Sequence, residues 1–177
     1  MTQVSGVHAE AQARAWLAER LHSPAAQLPL PRDERGRPQL HVSHPAHDCN
    51  WSHSGEGLLV ALAQGVRVGV DIECERPRPR ALALARRYFT TQEAAWLEAT
   101  AEAARHRAFL RLWCAKEAVL KAHGHGLAFG LDRLRFEPRD TALCLVACDD
   151  ALGAPAQWQL HELAPAPGYL GMLAWRE

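Results

Sequence analysis

The sequence has no net charge: 20 Lys and Arg balance 20 Asp and Glu over 177 residues. That balance argues against a surface built wholly for nucleic acid or anionic membrane and leaves room only for a local basic patch. No apolar run reaches the ~18 residues that would suggest a membrane span. The stretch from Met1 to Trp16 has neither an apolar core nor a cleavage pattern and reads as no secretory leader. Five cysteines, Cys49, Cys74, Cys114, Cys144 and Cys148, make an odd count without a CxxC pair. They read as free thiols of a cytoplasmic protein. G-x-S-x-G is missing as well, so a nucleophilic serine elbow has little support.

With 48% hydrophobic and 23% charged residues, what remains is globular, long enough for one sizeable domain or two lobes sharing a core. The spacing predicts a helix over His8–Leu21 with Ala11, Ala15, Leu17, Ala18 and Leu21 on its apolar stripe. A Pro-studded connector with a turn at Arg35–Pro38 follows, then a polar loop over residues 41–57. Residues 58–73 read as two strands joined at Gln64–Gly65, a hairpin. "CERPRPR" reads as a linker. Thr90 and Glu93 form a capping-box signature, and a long helix is predicted over Glu102–His123, ending at Gly124. Four strand candidates complete the chain: "LDRLRFE", "ALCLVAC", "AQWQLHEL" and "GYLGMLAWRE", with Cys144 and Cys148 expected in the core. Each half is helix followed by strands. The class is α+β, with a hint of internal duplication.

Three constellations could carry chemistry. In "GVDIE" Asp71 and Glu73 lie two apart on a strand and share a face. Paired carboxylates repel unless a cation sits between them, and magnesium takes one or two carboxylates plus phosphate oxygens. An acidic strand end bathed in water is the plainer alternative. In "WCAKEAVLKAHG" Trp113, Glu117 and Lys121 are spaced by four on one helix side. Glu117 could be a third oxygen ligand, with Lys116 and Lys121 neutralising phosphate oxygens. A wet i,i+4 salt bridge is the alternative there. In "NWSHSGEG" Ser52, His53 and Ser54 offer polar groups beside Gly55 and Gly57, or merely a polar turn. His41, His44 and His47 are spaced by three, but Pro45 spoils a helical metal face.

Together, "NWSHSGEGLLVALAQGVRVGVDIE", "RYFTTQE" and "FLRLWCAKEAVLKAHGHGL", with "RGRP" before them, resemble the 4′-phosphopantetheinyl transferase superfamily in its Sfp-like branch. The resemblance implies a pseudo-twofold pair of helix-plus-antiparallel-sheet lobes, here 1–75 (shortened relative to the family) and 76–177, forming one pseudodimeric monomer. It implies transfer of the phosphopantetheine arm of coenzyme A to a serine of an acyl or peptidyl carrier protein, releasing 3′,5′-ADP, in fatty acid, polyketide or nonribosomal peptide biosynthesis. Asp71, Glu73 and Glu117 would hold magnesium or manganese, and Glu117 or a water would take the serine proton. Lys121 would balance the diphosphate charge, while Arg37, Ser52, His53 and Lys116 would serve the coenzyme A side. An arginine expected near the start of the first helix has His8 and Arg14 as its nearest candidates. Arg78, Arg80, Arg86 and Arg87 would dock an acidic carrier helix. A hydrolase using the same carboxylates, or a coenzyme A- or carrier-binding module without catalysis, are the alternative functions.

Overall fold

The computed structural model describes residues 6–176. Met1–Ser5, where the segment read for a leader begins, and Glu177, the end of the last strand candidate, lie outside the described residues. Among those described, no helix is long and apolar enough to cross a membrane. The architecture is α+β: among the described residues, helices α1 (Gly6–Arg20), α2 (Ala81–Tyr88), α3 (Thr91–Ala99) and α4 (Glu102–His123) accompany seven antiparallel strands.

The strands fall into three groups. β1 (His47–Ser54) pairs with β2 (Gly57–Gln64), and β4 (Leu134–Arg139) with β5 (Ala142–Cys148). β3 (Arg67–Cys74), β7 (Tyr169–Arg176) and β6 (Trp158–Leu163) form a three-stranded sheet in that order. One strand from the first half of the chain is therefore laddered onto the last strand, β7, which in turn pairs with β6.

Two expectations about the first half change. The stretch read as a polar loop contains β1, and the hairpin joins β1 to β2 rather than β2 to β3. Its two-residue turn opens with Gly55 at φ 60°, the position where a II′ turn needs glycine. β1 looks like a loop because every second residue is polar, yet those side chains take the place of a backbone ladder to β3. Asp48 accepts from Val68 N at 2.8 Å, Asn50 from Val70 N at 3.0 Å and Ser54 from Cys74 N at 3.1 Å. With β3 served by β1 side chains and by the β7 ladder, β2 has no backbone ladder to it. On the other face of β1, Cys49 and Trp51 pack with Leu28, Leu30, Leu40 and α1. The buried stripe of α1 is Ala9, Ala13, Leu17 and Ala18, whereas Ala11 and Ala15 are exposed. Both sets fit i,i+4 spacing, and the larger side chains at the helix end select the register that is buried.

In the second half α4 has the predicted bounds, closed by Gly124 in the left-handed region (φ 96°). The Thr90–Glu93 capping box is formed in both directions. The segment read as a linker runs into α2, whose Ala81 and Ala85 are buried under Phe89 and α4 residues. Trp113 has its ring neighbours within the second half, Phe109 at 5.8 Å and Phe89 at 6.3 Å. On β5 the buried residues are Leu143 and Leu145, while Cys144 and Cys148 are only part-buried.

The contact that positions everything else lies between β3 and α4. A Cβ on Gly69 would stand 2.1 Å from Ala118 O and 2.4 Å from Ala122 N. The strand therefore lies directly on helix backbone, which only glycine permits. Strand alternation gives Asp71 and Glu73 the face of Gly69, toward the helix that carries Glu117 and Lys121.

Candidate active site

Asp71 is buried on β3 at 5% exposure, and its Oδ1 accepts from Lys121 Nζ at 2.7 Å and Ser52 Oγ at 2.8 Å. Lys121 Nζ also donates to Ser52 Oγ at 3.0 Å. Three of the expected residues, from β1, β3 and α4, thus meet in one network. Oδ2 of Asp71 is buried with no hydrogen-bond partner. A bare carboxylate oxygen costs free energy unless something positive occupies the place beside it.

Glu117, one helical turn before Lys121, is buried and close enough to feel both other carboxylates. Burial, then the charge of Asp71, push its pKa up to about 7, with Glu73 adding to the rise and Lys121 opposing it. The Glu73 carboxyl is also raised, by burial first and Asp71 second, against the pull of Arg78 and Ser54. Ser54 Oγ donates to it at 3.0 Å, and Arg78 forms an ion pair with it. Asp71 raises the pKa of both Glu73 and Glu117; carboxylates crowded in this way call for a cation, and an all-oxygen set suits magnesium or manganese. Glu73 is turned toward Arg78, and among the described residues no three His, Cys, Asp or Glu groups are gathered as a ready metal cage. Asp71 and Glu117 are therefore the open oxygen donors, with Glu73 held in reserve by Arg78.

A cavity of about 300 Å³ opens over this network, lined by Glu117 and Lys121 on one side and Arg32, Arg35, Gly36 and Trp51 on the other. A basic and aromatic wall facing a carboxylate–lysine pair suits a polyanionic ligand with a flat group attached. Arg32 stacks on Trp51 with its guanidinium carbon 5.1 Å from the ring centroid. Arg32, Arg35 and Trp51 were not singled out from the sequence, although both arginines lie in the same "RDERGRP" turn as Arg37. His53 is exposed, on the same strand face as Trp51 and opposite Ser52.

Two expected ligand groups are engaged elsewhere. Lys116 has no exposed surface: its ammonium pairs with Glu93 at 2.8 Å and donates to the carbonyls of Leu131 (2.8 Å) and Leu134. Phe89 and Phe136 lie under it at 5.0 and 5.7 Å. Helix geometry turns adjacent residues about 100° apart, so Glu117 at the cavity puts Lys116 in the core. Burial lowers the Lys116 pKa to about 8, with Glu93 opposing. Arg37 borders the cavity but is buried, its guanidinium bound to Asp48 and to the carbonyls of Lys121 and Val68. Arg14, a candidate for the arginine near the first helix, is held by Glu10 and the Leu28 carbonyl. His8 is exposed and contacts Gln12 at 3.1 Å.

A family model described as the 4′-phosphopantetheinyl transferase superfamily matches residues 67–170, which include β3, α4 and β4–β6. A putative 4′-phosphopantetheinyl transferase of Synechocystis sp. is 37% identical over 123 residues, 68% of this chain and 50% of that protein. The 4′-phosphopantetheinyl transferase AcpT of Salmonella typhi is 37% identical over 113 residues, 62% and 58% of the two chains. The chain spans about half the length of the first and somewhat more of the second. The crystal structure of Thermotoga maritima holo-[acyl-carrier-protein] synthase superposes with a TM-score of 0.50 at 20% identity, covering 63% of this chain and 64% of that one. At that identity the likeness speaks for the fold.

Proposed function

This chain belongs to the 4′-phosphopantetheinyl transferase superfamily, and from that premise we propose that it moves the 4′-phosphopantetheine arm of coenzyme A onto a serine of an acyl or peptidyl carrier protein. The observation that carries the reading is the partnerless Oδ2 of Asp71, set beside Lys121 and a protonatable Glu117 and roofed by a basic cavity. The carrier serine Oγ attacks the phosphorus that bears the pantetheine arm, the phosphoanhydride P–O bond breaks, and 3′,5′-ADP leaves with the electron pair. Transfer of this kind needs placement and charge neutralisation more than covalent help from the protein. Lys121 would neutralise the charge that builds on the diphosphate oxygens, and Arg32 and Arg35 line the same cavity, where the nucleotide would lie.

Asp71 and Glu117, with Glu73 once released from Arg78, would hold magnesium, which supplies Lewis-acid polarisation of the phosphate oxygens. Glu117 has two possible duties, ligand and acceptor of the serine proton. Its raised pKa suits the second, and with a cation held beside it its basicity would fall, so that water would take the proton instead. Ser52 keeps Asp71 Oδ1 oriented, leaving Oδ2 for the cation.

The finer assignment is to the Sfp-like branch, as a monomer whose two lobes, 1–75 and 76–177, are related by an internal pseudo-twofold axis, working in the cytoplasm. It rests on the order of the motifs and on the helix-then-strand repetition. The test is the intact mass of an apo carrier protein incubated with this protein, coenzyme A and magnesium. A gain of one phosphopantetheine group, lost with EDTA and with Glu117→Ala, supports the reading. No gain on fatty-acid, polyketide and peptide carriers alike refutes it, and release of 3′,5′-ADP without any modified carrier would point to hydrolysis instead.

A further inference from the structure

Arg37 ties α4, β3 and β1 together at one point, beside the Gly69 contact and the Asp71–Lys121 pair. Its Nη1 donates to the carbonyl of Lys121, in the last turn of α4, where helix carbonyls lack intrahelical partners. Its Nη2 donates to the carbonyl of Val68, at 2.9 Å on β3, and to Asp48 on β1. Asp48 returns to the same place, accepting from Val68 N at 2.8 Å. One guanidinium thus holds the backbone of the lysine that pairs with Asp71 and the strand that carries Asp71, three residues upstream. It borders the cavity, but at 6% exposure and with both terminal nitrogens engaged it has little to offer a ligand there. Its positive charge beside the helix C-terminus is also favourable to the α4 dipole.

We propose that Arg37, oriented by Asp48, is a positioning residue that sets the spacing between Asp71 on β3 and the Lys121–Glu117 face of α4, and does not grip coenzyme A. The proposal rests on the transferase reading for its kinetic consequences, but the geometry it concerns can be read without turnover. A ligand-gripping arginine and a positioning arginine make opposite predictions for Asp48. An anionic substrate gains nothing from a carboxylate, so losing Asp48 should leave substrate affinity alone, or improve it, if Arg37 were a free phosphate-binding group. Where Arg37 acts through Lys121, losing Asp48 should reproduce the loss of Arg37.

The decisive set is Arg37→Lys, Asp48→Asn and the double variant, with Asp48→Asn as the milder change should Arg37→Lys fail to fold. We expect kcat for carrier modification to fall about 10- to 100-fold, as for a misplacement approaching 1 Å, with the KM for coenzyme A within about twofold of wild type. The double variant should be no slower than the slower single one, because both changes break one unit. A tenfold rise in the KM for coenzyme A with Arg37→Lys, against unchanged kinetics with Asp48→Asn, would overturn the proposal.

A second readout needs no activity. The chain has only two lysines, and Lys116 is wholly buried, so Lys121 is the one side-chain amine open to an acylating reagent. Acetylation of Lys121 by an N-hydroxysuccinimide ester, followed by peptide mass analysis, should be several-fold faster in both single variants than in wild type. Equal rates in all folded forms would overturn the positioning role. If wild type modifies no carrier, the transferase reading falls by itself, and the acetylation rates still decide the role of Arg37.

Discussion

Gly69→Ala tests the contact on which the whole site is built. The new methyl would sit 2.1 Å from Ala118 O, against the 3.4 Å of ordinary contact, an overlap of about 1.3 Å, and 2.4 Å from Ala122 N, an overlap of about 1.0 Å. Neither neighbour can rotate away, because Ala118 and Ala122 are backbone of the last two turns of α4. β3 must therefore lift off the helix by about 1 Å, carrying Asp71 with it. Overpacking of this kind costs about 1–3 kcal/mol, and backbone against backbone places it at the upper end. At roughly 2–4 °C per kcal/mol for a domain of this size, the midpoint of thermal unfolding should fall by about 6–12 °C. The catalytic loss should be larger in proportion, about 100-fold in kcat, since a 1 Å shift of Asp71 breaks its 2.7 Å bond to Lys121. Differential scanning calorimetry and carrier-modification kinetics on the same preparation check both. A variant with wild-type melting temperature and rate would refute the reasoning, because it would mean that β3 and α4 do not touch through Gly69.

Three further outcomes are expected. Lys116→Met strands Glu93 in the core and should cost about 3–5 kcal/mol in urea unfolding, whereas adding Glu93→Gln should recover much of that loss; equal stability of single and double variants would disprove the pairing. Reversing Arg86 and Arg87 to Glu should raise the KM for the carrier protein and leave coenzyme A affinity unchanged, as both are exposed and Arg86 is committed only to a surface pair with Glu98; an unchanged carrier KM would remove them from docking. Native alkylation should spare Cys49, whose thiol burial pushes up to about 12, and Cys114, while Cys74, Cys144 and Cys148 react. All five should be modified in urea, and early labelling of Cys49 or Cys114 would contradict the packing around them.

The sequence by itself determined the features that depend on neighbours within a few residues. The bounds of α4, its glycine stop and the Thr90 capping box follow from local backbone chemistry, and the structure repeats them. Asp71, Glu117 and Lys121 were legible because strand and helix periodicities assign faces without knowledge of partners. Tertiary structure decided what those faces meet. β1 could not be read as a strand because its alternate Asp, Asn and Ser residues belong inside only when β3 offers its N–H groups to them. Lys116 and Arg37 carry charges that sequence reasoning assigns to phosphate, yet both lie in low-dielectric surroundings where carbonyls and one carboxylate each compensate them. A side chain's charge is written in the sequence. Whether that charge faces a ligand or a buried partner depends on desolvation and on groups far away in the chain, and those exist only once the chain is folded.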